Sequence, residues 1–101
     1  GLTYIDWKNK HAEISCYLNS VNWQKTKEAR DTIHIILKYG FEELNLHRIW
    51  AEIFSTAQEN ITLFNKMGFA REGVLRQKLW RDGKWWDSHI YSKLSSEFNK
   101  K

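Results

Sequence analysis

Hydrophobic positions along the chain change their period several times, and each change marks an element. Between His11 and Leu18 they alternate. Ala12, Ile14, Cys16 and Leu18 fall on one side and His11, Glu13, Ser15 and Tyr17 on the other, the two-residue period of a half-buried strand. Leu2–Trp7 has the same extended character, and the polar Lys8-Asn9-Lys10 separates the two, so together they predict a hairpin. Asn19–Trp23 reads as a loop. From Gln24 the pattern switches: a polar, basic turn runs into Ala29, Ile33, Ile36, Leu37, Gly40, Phe41 and Leu44, which recur at helical spacing with charges between them. Asn45 closes that helix as a residue that tolerates the left-handed conformation. Arg48–Phe54 alternates again, with Ile49, Ala51 and Ile53 on one face. A shorter helix is expected from Gln58 to Met67, with Gly68 at its cap. Glu72–Trp80 and Lys84–Leu94 read as strands joined at Arg81-Asp82-Gly83, where Asp-Gly favours a hairpin turn. The polar tail Ser95–Lys101 is expected to fray.

The order is therefore β-β-α-β-α-β-β, without internal repeat, linker or low-complexity stretch. Hairpins mixed with crossovers imply an α+β fold, a mixed and mostly antiparallel sheet with two helices. With 101 residues, the expectation is a single domain spanning 1–101. A hydrophobic content of 42% and six Trp argue against disorder. The net charge of +4 suits an anionic ligand, but Lys and Arg are spread along the chain rather than gathered into a nucleic-acid patch. One cysteine, Cys16, excludes an intrachain disulfide framework and fits a reducing, cytoplasmic setting. No apolar run reaches membrane-spanning length, and no signal-peptide pattern is present. The chain opens at Gly1, without Met and directly on a strand-like segment, which raises the expectation that residues precede it.

The basic turn at the head of the long helix is the first candidate for chemistry. Helix starts leave N–H groups unused and carry the positive end of the dipole, which suits a phosphate or pyrophosphate. The alternative is a solvated helix start holding only water.

With the order in place, the residues resemble the GCN5-related N-acetyltransferase (GNAT) superfamily, closest to the ribosomal-protein alanine acetyltransferases and their small-molecule relatives. The run Gln24-Lys25-Thr26-Lys27-Glu28-Ala29 stands where that branch has Gln/Arg-x-x-Gly-x-Gly/Ala. Tyr39–Leu44 ends the helix, and Leu46-His47-Arg48-Ile49-Trp50-Ala51 is similar to the strand that follows in the family. Phe64–Arg76, Asp82–Asp87 and Tyr91–Leu94 are similar to its later segments. The resemblance covers essentially the whole chain and corresponds to strands three to seven and the last two helices of the family. The two earlier strands and one or two helices are not represented. Their absence predicts an exposed apolar sheet face and an exposed edge at Leu2–Trp7, either of which a second copy of the chain would cover in a homodimer.

The resemblance implies acetyl transfer from acetyl-CoA to a primary amine, a protein N-terminus or a small molecule, by direct attack on the thioester. It calls for no metal. That chemistry needs the pyrophosphate held, the thioester carbonyl facing a donor, and the amine stripped of a proton. By resemblance, the backbone of Gln24, Lys25, Thr26, Lys27, Glu28 and Ala29 would hold the pyrophosphate, with Lys27 where the family has a glycine. A backbone N–H within Tyr17, Leu18 and Asn19 would face the carbonyl. Glu13 is the candidate base, the alternative being a solvent-facing strand glutamate. Asn60 stands at a cofactor-contacting helix position where the family has Ser; Ala57 replaces a pantetheine-binding Asn, and Phe64 replaces a tyrosine general acid. Cys16 shares the Ala12/Ile14 face and reads as core. His11, His34, His47 and His89 lack metal-ligand spacing. Trp85-Trp86 reads as packing or an acceptor wall, and Asp87 with His89 as acceptor contacts or solvent-facing residues. Two other readings stay open. One is an acetyltransferase-like fold without catalysis that binds CoA weakly or only self-associates. The other, nucleic-acid binding through Trp and basic residues, is disfavoured by the scattered charges.

Overall fold

Five strands build one sheet in the computed structural model, which describes residues 2–14 and 27–98. They are β1 (Leu2–Asp6), β2 (His11–Ile14), β3 (Arg48–Phe54), β4 (Ala70–Arg81) and β5 (Lys84–Leu94). Helix α1 covers Lys27–Lys38, α2 Gln58–Lys66 and α3 Ser95–Phe98. The spatial order is β1-β2-β3-β5-β4. Only β2 and β3 run parallel; β1–β2, β3–β5 and β4–β5 are antiparallel. This is the mixed, mostly antiparallel α+β sheet that the element order implies.

The β1–β2 turn is held by Asp6, whose carboxylate accepts from the backbone N–H of Asn9 at 2.9 Å and from its side-chain amide at 3.1 Å. Such a side-chain-closed turn explains why Asp-x-x-Asn suits this position. The Lys10 carbonyl then accepts from the N–H groups of His47 and Arg48, tying the turn to the start of β3. At the other end of the sheet, Asp82 and Gly83 both take positive φ, 54° and 77°, as a two-residue hairpin loop requires. Trp80 and Trp85 meet edge-on above it with ring centroids 5.1 Å apart, and Trp86 Nε1 donates to the Arg81 carbonyl. The tryptophan pair therefore clasps the hairpin.

One face of the sheet is the core. Ala12, Ile14, Ile49, Ala51, Ile53 and Tyr91 are buried there beneath Ala29, Ile33 and Leu37 of α1 and Leu63 and Phe64 of α2. The long helix does not run on unchanged to Leu44. After Lys38 it widens into a π-helical turn, Tyr39–Glu43, that buries Gly40 and Phe41 side by side. Gly40 lies so close to Ile49 that a Cβ there would be 2.7 Å from Ile49 Cδ1. Asn45 follows with φ of 60°, the left-handed closure its identity predicts.

Helix α2 ends at Gly68, φ 85°, with the Gly68 and Phe69 N–H groups donating back to Asn65 and Phe64. Lys93 Nζ donates to the Met67 carbonyl at 2.6 Å, placing a cation at the negative end of that helix. Burial holds the Lys93 ammonium below its ordinary pKa, against the opposing pull of Glu97.

Two expectations need correction. The tail does not simply fray: Ser95–Phe98 forms a helical turn, and the Phe98 ring packs 5.5 Å from His34 and 5.3 Å from Phe41. One aromatic ring in a polar segment, aimed at the end of α1, is enough to dock it. The second sheet face is not apolar. It mixes His11, Glu13, Glu52, Ser88 and Ser92 with Trp50, Phe54 and Ile90, while the most exposed apolar side chains lie at the β1 edge, with Tyr4 79% and Trp7 61% exposed, and on the β4–β5 hairpin, with Trp80 59% and Trp85 54% exposed. The exposed edge is as expected. Among the described residues, no helix is long and apolar enough to cross a membrane.

Candidate functional site

Parallel pairing of β2 with β3 sets Glu13 opposite Trp50, so Glu13, Trp50 and Glu52 share the polar face of the sheet. Glu52 is held by three short hydrogen bonds. Lys78 Nζ donates to Oε1 at 2.8 Å and to Oε2 at 2.6 Å, and the buried Ser88 hydroxyl donates to Oε2 at 2.7 Å. Burial alone would raise the Glu52 pKa, but the bonds from Lys78 and Ser88 and the Lys78 charge together bring it below the ordinary value. Glu13 goes the other way. Burial lifts its pKa, the neighbouring Glu52 lifts it further, and Lys78 only partly opposes them. The pKa values of two carboxylates in one cluster are thus driven apart, Glu13 upward and Glu52 downward.

On the other side of β3 a groove of about 190 Å³ opens where β2, β3 and α2 meet. Ile14, Ala51, Ile53, Phe54, Ala57 and Phe64 give it apolar walls, and Glu52 and Asn60 add polar atoms. The Asn60 side-chain oxygen is buried and has no hydrogen-bond partner among the described residues. A buried carbonyl without a donor costs about 1–3 kcal/mol, so an N–H-bearing ligand in this groove would relieve a standing deficit. Ala57 opens α2 without any side-chain cap. Phe64 packs edge-on against Phe69 at 4.7 Å and offers the groove no titratable group.

The positions singled out in the sequence divide accordingly. Glu13 and Asn60 lie on opposite sides of β3 and are linked through Glu52, which touches both the carboxylate cluster and the groove. Glu28 is exposed and Ala29 fully buried in the first turn of α1. Lys27 is described only as the first residue of α1. Tyr17, Leu18, Asn19, Gln24, Lys25 and Thr26 lie outside the described residues, as does Cys16. Asp87 accepts from the Gln77 N–H at 2.9 Å, and the His89 ring lies 6.4 Å from that of the buried Tyr91. No group of three or more His, Cys, Asp or Glu with metal-binding geometry occurs among the described residues.

Sequence reasoning missed Glu52, Ser88 and Lys78. Glu52 was readable, being an acidic residue on the face opposite Ile49, Ala51 and Ile53. Its pairing with Lys78, 26 residues away, was not.

Comparison with known proteins gives this arrangement a family. The sequence profile described as "Acetyltransferase (GNAT) domain" matches residues 1–90. The chain belongs to the GNAT acetyltransferase family. Its relatives include the uncharacterized N-acetyltransferases YoaA and YnaD of Bacillus subtilis, 36% identical over 92 residues and 35% identical over 98 residues. The matches cover 91% and 97% of this chain but 51% and 58% of those proteins, so the chain spans little more than half their length. Among solved structures, a chimera of the Vibrio cholerae spermidine N-acetyltransferase SpeG superposes with a TM-score of 0.88 at 27% identity, covering 98% of this chain and 60% of that one. A dodecameric form of the same Vibrio enzyme superposes with a TM-score of 0.86 at 26% identity, covering 98% of this chain and 57% of that one. The GNAT fold that the resemblance implied is thus the fold of the structure.

Proposed function

We propose that this chain carries the catalytic part of an acetyl-CoA-dependent N-acetyltransferase acting on a primary amine, with Glu13 as the base. One observation carries the reading: a carboxylate whose pKa is raised by burial and by Glu52 stands across β3 from a groove holding an unpartnered amide oxygen. Acetyl-CoA supplies an acyl group activated as a thioester. The Asn60 oxygen accepts an amide N–H of the pantetheine arm, and the walls formed by Ile53, Phe54 and Phe64 keep water from the thioester end. At the head of α1, the amides of Lys27, Glu28 and Ala29 and of the turn Gln24–Thr26 hold the pyrophosphate. Glu13 takes a proton from the entering ammonium, whose pKa near ~10.4 otherwise leaves it without a lone pair at neutral pH. A carboxylate with raised pKa is the stronger base for that step. With Phe64 in place of a tyrosine, the departing thiolate takes its proton from the newly formed protonated amide or from water.

Self-association belongs to the same reading. An apolar groove of about 490 Å³ lined by Leu2, Ile5, Trp7, Ile35, Tyr39 and Leu44 lies beside the β1 edge, and a second copy would cover both. Sedimentation velocity tests this: a dimer or larger assembly is expected, and a monomer at high concentration removes the surface from the account.

The catalytic test is Glu13→Gln. Transfer to a model amine such as butylamine should slow by roughly 10²–10⁴-fold while acetyl-CoA affinity is unchanged. An unaltered rate removes Glu13 from the role.

A further inference from the structure

Lys78 reaches Glu52 by crossing a strand. It leaves β4, passes over β5 and places its ammonium on both Glu52 oxygens of β3. A regular ladder would not aim it there. Between Leu75 and Leu79 the β4–β5 register slips, and Gln77 takes φ of 51°, a conformation unfavourable for a residue with a Cβ. Asp87 holds it by accepting the Gln77 N–H. Bulges of this kind re-aim a side chain near functional sites, and here the re-aimed side chain is the next residue, Lys78.

The consequence is a charge count. Glu13 and Glu52 supply two negative charges and Lys78 one positive, so the cluster carries one net negative charge when both carboxylates are ionised. Resting on the reading of this face as the site of an amine acceptor, we infer that Lys78 is a specificity-determining residue, a built-in counter-ion that restricts the acceptor to amines bearing one positive charge. A single ammonium beside Glu13 brings the cluster to neutrality. A second ammonium on the same molecule must compete for Glu52, whose two oxygens already accept from Lys78 and one also from Ser88. Lys78 competes from the same chain and needs no encounter, so a dication gains little over a monocation.

Calorimetric titration near neutral pH at fixed ionic strength tests this, using 1,4-diaminobutane, a dication, and butylamine, a monocation, as probes. The proteins are the wild type, Lys78→Met, Lys78→Arg and the double variant Lys78→Met/Glu52→Gln. The diaminobutane-to-butylamine affinity ratio should rise about tenfold in Lys78→Met, the worth of one charge-assisted hydrogen-bonded pair. It should stay at the wild-type value in Lys78→Arg and fall back in the double variant. Lys78 is half-exposed at the surface, so its loss leaves the fold intact. The inference is overturned by an unchanged ratio in Lys78→Met, by a gain that survives loss of Glu52, or by no measurable binding of either amine to any of the proteins. A parallel acetyl-CoA titration separates the two questions: cofactor binding with an unmoved ratio removes Lys78 from specificity and leaves the acetyl-transfer reading standing.

Discussion

Replacing Gly40 by alanine puts a methyl group where the structure has no room. Built on the Gly40 backbone, it lies 2.7 Å from Ile49 Cδ1, 3.1 Å from Leu2 Cδ1 and 3.5 Å from Leu46 Cδ1. Carbon atoms in contact sit at about 3.5–4.0 Å, so the first two are too close. Leu2 is half-buried on the edge strand and can swing outward. Ile49 is fully buried in the middle of the sheet, and its terminal methyl cannot turn away without displacing core neighbours. Overpacking of this kind costs roughly 1–3 kcal/mol. Against it stands the smaller entropy of the unfolded alanine chain, worth about 0.4–1 kcal/mol where the backbone is compatible. Gly40 has no positive φ, so the backbone is compatible and this gain applies. The clash still wins, leaving a net loss of about 1–2 kcal/mol, or a fall in melting temperature of roughly 5–10 °C for a chain of this size. Thermal unfolding followed by circular dichroism reads it directly. Ile49→Val removes the clashing methyl at its own cost of about 0.5–1.5 kcal/mol, so the double variant should be more stable than the sum of the singles by about 1 kcal/mol. An unchanged or raised melting temperature for Gly40→Ala, or strict additivity with Ile49→Val, would refute the packing argument.

Phe98→Ala should cost about 2 kcal/mol, because the ring is half-buried against His34 and Phe41; an unchanged denaturation midpoint would mean that the C-terminal turn carries no stability. Asn60→Ala removes a buried oxygen with no partner among the described residues and should leave the free protein at least as stable as wild type, yet weaken acetyl-CoA binding by about five- to tenfold. Unaltered affinity takes Asn60 out of the cofactor groove. Folding raises the Glu13 pKa, so the folded state binds its proton more tightly and loses stability as pH climbs from the ordinary value of 4.5 through the raised one. Glu13→Gln should therefore gain stability over wild type at neutral pH and lose that advantage below the ordinary glutamate range. Denaturant titrations at the two pH values check the sign, and a larger advantage in acid would reverse it.

Much of this architecture was legible because the signals were local. Arg48–Phe54 and Lys84–Leu94 have in the structure the bounds their alternation predicts, and Asn45, Gly68 and Asp82-Gly83 take the left-handed conformations their residue types allow. What stayed hidden depends on contacts distant in sequence. The π-helical turn brings Gly40 against Ile49, and helical spacing around Phe41 looks the same with or without it. The docking of Phe98 depends on where the end of α1 comes to rest. Alternation set Glu13 apart from Ala12 and Ile14, and the resemblance made it the candidate base. The environment that tunes it comes from β3, β4 and β5 together, and a register slip delivers Lys78 where no strand periodicity would place it.

The account stands on the groove beside Asn60 and the head of α1 receiving one ligand between them. Isothermal titration of the chain with acetyl-CoA tests that most directly. A dissociation constant in the micromolar range, weakened by Asn60→Ala and unmoved by Glu13→Gln, is the expected result. Absence of binding at millimolar acetyl-CoA would contradict it.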